Sequence, residues 1–298
     1  MIGSEGQGVA GDMTEAVRPY MTLSIEESDR LLRRYAAILG LLAFMIPFVV
    51  PLSAWLLSLR DGGFCMRDSL SHFYYSPIGG NIFVALLALI VGALVFYRGE
   101  NRVEGWLANL AALAMAFVAL FPAGGHGCHP ASETAAERHM QSRSVVDLSW
   151  DNRAWGLSDN QVASLFFDET GPISMVHYGA ATVLFSILAM FCLFIFTRVR
   201  RVELGYPADM VDVDNAGNVL EAKLRRNRLY RIAGVVILMS MAALFAKLAF
   251  GKNWTFWNEG NLTFWFEALA LATFGLSWLL KGRFFTGLLE SHPESASS

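Results

Sequence analysis

Histidine is the residue type whose placement says most about chemistry in this chain. Five of the six, His72, His126, His129, His139 and His177, fall in or beside connections between long apolar runs, and only His292 lies near the C-terminus. His72 closes the run Asp68-Ser69-Leu70-Ser71-His72, His126 and His129 belong to Gly-Gly-His-Gly-Cys-His, and His177 opens an apolar run. Neutral imidazole is a good ligand for borderline metals, and three protein ligands plus one water make a hydrolytic zinc site. His72, His177 and one of His126 or His129 form the candidate metal set, with zinc as the cofactor it would take. The alternative reading is that these imidazoles pack and hydrogen-bond at an interface, since no pair has the His-Glu-x-x-His spacing of a metal helix.

Bound metal would bring the pKa of its water close to neutrality, and a nearby carboxylate would accept the proton. Asp68 and Glu267 are the carboxylates in reach of such a role, and Ser71, in the same run as Asp68, completes the catalytic candidates. Glu267 lies within an apolar run, where a carboxylate is costly unless it is neutralised, paired or facing a polar cavity. Two readings of it stay open: a catalytic group, or the partner of Lys247 in a pair that ties two helices together.

The elements that must position these groups are set by composition. With 54% hydrophobic and 16% charged residues, and a mean hydropathy of +0.41, the chain fits lipid better than water. Apolar runs at 36–58, 78–97, 103–121, 173–196, 230–250 and 261–280 each match the ~20 helical residues that cross a hydrocarbon core. Because an open sheet cannot satisfy its backbone in lipid, the expected fold is all-α: a polytopic membrane protein with six transmembrane helices and an extracytoplasmic cap loop over 122–172. The domain plan is an N-terminal segment 1–34, a transmembrane domain 35–282 and a tail 283–298. The dispersed basic residues form no nucleic-acid-binding stripe, so membrane lipids are the expected partners and nucleic acid is not.

Orientation follows from the cations. Of the 23 Lys and Arg, 16 fall in the N-terminal segment, 98–102, 198–231 and the C-terminal end from Lys281 onward. The positive-inside rule puts those segments, and both termini, in the cytoplasm of a bacterial inner membrane. Trp55, Tyr74, Tyr75, Tyr178, Trp254, Trp257 and Trp265 are then expected in an outer interfacial belt, with Tyr97, Trp106, Tyr230 and Trp278 in an inner one.

Local signals refine the plan. Ser24-Ile25-Glu26-Glu27 matches a capping box and predicts a helix from Ile25 running into the first span; Pro47 and Pro51 should bend that span. Ala108, Ala112 and Ala116 form a small-residue stripe for close helix packing. Within 198–229, Asp212-Val-Asp-Asn-Ala-Gly217 fails as a calcium loop because Ala216 and Lys223 stand where oxygen ligands are required, so 215–217 reads as a turn between short extended pieces. In the cap, Ser158-Asp159-Asn160-Gln161 predicts a short amphipathic helix. Cys65 and Cys128 would both face the oxidising side and are expected to pair, whereas Cys192 is buried in the fourth span.

The runs Ser69-Leu-Ser-His-Phe-Tyr-Tyr-Ser-Pro77, Asn109 to Pro122, and Trp265 to Gly282 resemble a bacterial multi-span membrane family, which implies the six-span fold and no activity. The inventory of Ser, Asp and three His at one membrane face is similar to that of the alkaline-ceramidase-like transmembrane hydrolases. That similarity implies a metal-dependent hydrolase acting on a lipid-like substrate, although six spans stand here for their seven. A non-enzymatic scaffold, accessory subunit or small-ligand sensor is the alternative function.

Overall fold

The computed structural model describes residues 25–61, 64, 66–97, 99–121, 123, 171–201, 212–214, 216–251 and 253–284. Among these, six helices are long and apolar enough to cross a membrane. They are α1 (Ile25–Asp61), α2 (Pro77–Phe96), α3 (Arg102–Leu120), α4 (Gly171–Met190), α5 (Glu221–Phe250) and α6 (Leu262–Lys281). The protein is therefore an all-helical, multi-pass membrane protein. Each helix packs on its neighbours in sequence, and α6 closes the ring on α1 through the most extensive interface of all. The outward surface is apolar, with Phe96 and Leu248 about three-quarters exposed at 72% and 77%. That is the surface a lipid-immersed bundle needs.

Glycine explains why α1 and α6 lie so close. A Cβ on Gly275 would stand 2.5 Å from the Phe44 backbone nitrogen, and one on Gly40 would stand 2.6 Å from the Gly275 carbonyl oxygen. The two backbones thus touch, as small residues permit in membrane helix pairs. The alanine stripe of α3 serves the same purpose, with Ala108 and Ala112 buried. α1 starts at Ile25 and passes through Pro47 and Pro51 to Asp61 as one helix. Gly79 of α2 sits against the Val50 carbonyl near these prolines.

α4 ends in a π-helical turn, Phe191–Ile195. The carbonyls it leaves open at Phe196 and Thr197 accept from Lys223 Nζ (3.2 Å) and Asn227 Nδ2 (3.0 Å) of α5. An ammonium at a helix C-terminus suits both the free carbonyl and the helix dipole. The turn before α5 forms as its sequence implies: Val213 and Val219 bridge as antiparallel extended residues, Gly217 takes φ +81°, and Asp214 Oδ1 accepts from the amides of Ala216 and Asn218.

The aromatic belts need correction. Tyr97, Tyr230 and Trp278 are buried rather than interfacial. Trp278 is fully enclosed and meets Tyr97 edge-on at 4.9 Å, with Phe196 at 5.3 Å and Phe191 at 5.6 Å. Tyr74 and Trp257 are buried too, whereas Trp55, Trp106, Tyr178 and Trp265 are exposed as a belt requires. Residue type alone does not say which face of a helix an aromatic occupies. The cap positions Cys128, His126, His129, His139 and 158–161, together with Cys65 and His292, lie outside the described residues, and so does the expected Cys65–Cys128 pair; Cys192 is a buried free thiol.

Candidate functional site

The helices alternate in direction, so the ends gather into two polar faces. One face collects Asp29, Glu100, Arg200, Asp212, Lys223 and Lys281, and we refer to it as the basic face. The other collects Asp68 to His72, Phe121, His177 and Glu267, and we refer to it as the serine face.

At the serine face the chain between α1 and α2 tucks into the bundle, with Arg67, Ser69, Leu70, Phe73, Tyr74 and Ser76 all buried. Residues Ser71–Tyr75 form a single 3-10 turn. The segment is docked on the start of α6. The Phe264 amide, in the first turn and so without an intrahelical acceptor, donates to the Asp68 carbonyl at 2.7 Å. One helical turn on, Glu267 Oε2 accepts from Ser69 Oγ and from the Leu70 amide, both at 2.7 Å. The Ser71 amide donates in turn to Ser69 Oγ at 3.1 Å. Glu267 is thus held by neutral donors. The expected pair with Lys247 does not form: Lys247 Nζ donates to the Gly251 carbonyl at the end of its own helix, 2.8 Å away.

His177, near the start of α4, is buried and bonded on both ring nitrogens. Nδ1 lies 2.7 Å from the Phe121 carbonyl oxygen and Nε2 lies 3.0 Å from Ser71 Oγ. A carbonyl only accepts, so Nδ1 carries the proton in the neutral ring, and Nε2 is left to accept the Ser71 hydroxyl hydrogen. The tautomer follows from the bonding network alone. Ser71 and His177 therefore stand as a hydroxyl and an oriented base in hydrogen-bond contact, the arrangement that activates a serine for nucleophilic attack.

The sequence-derived candidates are now placed. Ser71 and His177 meet; Glu267 anchors the segment that carries Ser71; Asp68 contributes a backbone carbonyl that caps α6. His72 follows Ser71 on the same turn and is partly buried. Among the described residues, no three His, Cys, Asp or Glu side chains form a group that could hold a metal ion. His177 would have to surrender its Ser71 contact to become a ligand. The described donors do not fit zinc as they stand, and His126 and His129 lie outside the described residues.

Sequence reading missed three participants. Ser69 was legible only as part of a Ser-x-Ser pattern. The Phe121 carbonyl leaves no signal in residue type. The ion network of the basic face was read only as a charge count. There Glu100 accepts from Arg200 at 2.7 Å and from Lys281, and Arg200 also reaches Asp29 at 3.1 Å. The Arg200 amide donates to Asp212 at 2.9 Å. Behind them Glu104, buried, accepts from the Tyr97 hydroxyl at 2.6 Å. Burial pushes the Glu100 carboxyl upward, but Lys281 and Arg200 outweigh it and hold the group well below the ordinary carboxylate range. Burial likewise opposes the charge on Arg200, and bonding to Glu100 reverses the effect and raises its pKa.

Compared with known proteins, the chain matches no family model, no curated protein and no solved structure.

Proposed function

We propose that this membrane protein is a hydrolase of the serine type, acting on an ester or amide of a lipid-like substrate at the serine face. The observation that carries the reading is the His177 ring, fixed through Nδ1 by the Phe121 carbonyl while Nε2 accepts from Ser71 Oγ. In the reaction Ser71 Oγ attacks the substrate carbonyl as its proton passes to His177 Nε2. The imidazolium then gives that proton to the leaving group, and an acyl-serine forms. Water, giving a proton to the same nitrogen, attacks the acyl-serine; the acyl–Oγ bond breaks, the acid leaves, and His177 returns the proton to Ser71 Oγ. Glu267, through Ser69 and the Leu70 amide, is a positioning residue for the turn that carries Ser71. A lipid-like substrate is the expectation that the likeness to alkaline-ceramidase-like hydrolases implies; the bonding of His177 favours serine chemistry over their metal chemistry. The cation distribution supports a cytoplasmic basic face and an extracytoplasmic serine face.

Hydrolysis of fluorogenic acyl esters by the purified protein in micelles tests this reading. Ser71→Ala and His177→Gln should each lower the rate at least ~100-fold, the lower bound for a positioned acid–base group. An unchanged rate in Ser71→Ala, or no hydrolysis by the unaltered protein across acyl chain lengths, would leave the network as a structural latch and favour the scaffold class.

A further inference from the structure

Two hydroxyls on the outward side of α4 show how this bundle presents polar groups to lipid. Thr182 and Ser186 donate to the Tyr178 and Thr182 carbonyls of their own helix, at 2.8 and 2.7 Å, so neither needs a partner outside it. Asn109 of α3 is different. It is exposed, and its side-chain amide has no hydrogen-bond partner among the described residues. It lies seven residues into Arg102–Leu120, about 10 Å from that end at 1.5 Å per residue. Its side chain is too short to reach the headgroups from there, and an unpaired amide in hydrocarbon is costly. Asn81, also exposed, sits only one turn inside α2, close to the headgroups.

The surface around Asn109 is a groove rather than a ridge. With Val103, Trp106, Leu107, Leu110 and Leu113 it lines a hollow of about 540 Å³, and Trp106 is 77% exposed. Gly105, one turn before Asn109, has open space where a Cβ would stand, so another backbone can approach. No apolar run of spanning length lies outside the six spans, and irregular chain does not lie against lipid at this depth. The cover is therefore lipid or a helix of another molecule.

A second copy fits the chemistry best. Two copies in one membrane share an orientation, so their two-fold axis runs along the membrane normal and α3 meets α3 in parallel, each residue opposite itself. Asn109 then faces Asn109 at one depth. An amide is both donor and acceptor, so the two bond reciprocally, which an acyl chain cannot do. Arg102, exposed at the first position of α3, lies at headgroup level, where two like charges remain hydrated.

We infer that the protein forms a homodimer through the outward face of α3, with paired Asn109 amides at its centre. The interface is separate from the serine face and stands whether or not Ser71 is a nucleophile.

Single-molecule photobleaching of the labelled full chain, reconstituted in phosphatidylcholine liposomes over a range of protein-to-lipid ratios, tests this dimer. Two-step bleaching in excess of random co-occupancy should grow as protein density rises. Asn109→Leu, which sets an apolar side chain against lipid, should raise the density at half-dimerisation about tenfold, as loss of an interhelical amide pair implies. Asn109→Gln, which keeps the amide, should stay close to the unaltered protein. Asn109→Ala replaces Asn109→Leu if the latter lacks a cooperative thermal transition. Bleaching that never exceeds random co-occupancy overturns the proposal and leaves lipid or a different protein as the cover. Dimers of equal strength in the unaltered protein and Asn109→Leu also overturn it, since they form through another face. Equal losses in Asn109→Leu and Asn109→Gln overturn the amide pairing.

Discussion

Each polar face of the bundle is organised around a carboxylate, and the two carboxylates live in opposite company. Glu100 at the basic face is clasped by two cations, Arg200 and Lys281. Glu267 at the serine face accepts from a hydroxyl and an amide, with no cation among its partners. Full charges hold Glu100, where cations from the α4–α5 connection and α6 converge on the α2–α3 link. Neutral hydrogen bonds hold Glu267 and His177, and they leave a histidine nitrogen directed at a serine hydroxyl. The contrast separates two uses of buried polarity in a membrane protein: clasping helices through charge, and orienting a reactive group through hydroxyl, amide and carbonyl partners.

The largest expected difference between the faces lies in stability. Glu100→Ala takes from Lys281 its carboxylate and from Arg200 one of its two, leaving Arg200 with Asp29, in a poorly solvated site, and should destabilise the fold by about 3–5 kcal/mol. Glu267→Ala strands only neutral donors and should cost about 1–3 kcal/mol. Denaturation of both variants in mixed micelles checks the ranking, and equal costs would erase the contrast.

Acid should distinguish the faces next. The Glu100 carboxyl is depressed in the fold, so its contribution is fully present above the unfolded value of about 4.3. That contribution is lost as pH falls from there through the lower folded value. Between pH 7 and 5 it should be constant. Below about pH 4 the unaltered protein should lose stability more steeply than Glu100→Gln, which has no such proton to take up. Parallel curves for the two proteins would mean that the cations do not hold the carboxyl ionised.

The smallest effect concerns Lys247. Among the described residues its ammonium bonds the Gly251 carbonyl at the end of its own helix, so Lys247→Ala should cost less than about 1 kcal/mol. Its effect should add to that of Glu267→Ala within ~0.5 kcal/mol in a double-mutant cycle. A larger coupling would restore the Lys247–Glu267 pair.

Much of this architecture is legible in the residues. Runs such as 78–97 and 261–280 meet the length rule for lipid, and the helices Pro77–Phe96 and Leu262–Lys281 fall within one or two residues of them. What was illegible depends on helix rotation and on distant contacts. Trp278 reads as an interfacial aromatic until α6 turns it into the ring of Tyr97, Phe191 and Phe196. Glu267 finds its partners 197 and 198 positions away in a segment that enters the bundle, whereas the pairing with Lys247 rests only on its place near the same end of the adjacent antiparallel span. Ser71 and His177 were each recognisable as reactive types. Their pairing rests on the Phe121 carbonyl, a backbone atom that any residue would supply.

Peptide mass spectrometry after treatment with a fluorophosphonate offers the sharpest test of the serine face, because two serines two positions apart serve as each other's control. Ser71 is bonded to the histidine and Ser69 to the carboxylate. The expected result is one adduct, on Ser71, that disappears in His177→Gln. Equal labelling of Ser69 and Ser71, labelling of Ser71 that survives His177→Gln, or no adduct on the folded protein would contradict a histidine-activated Ser71.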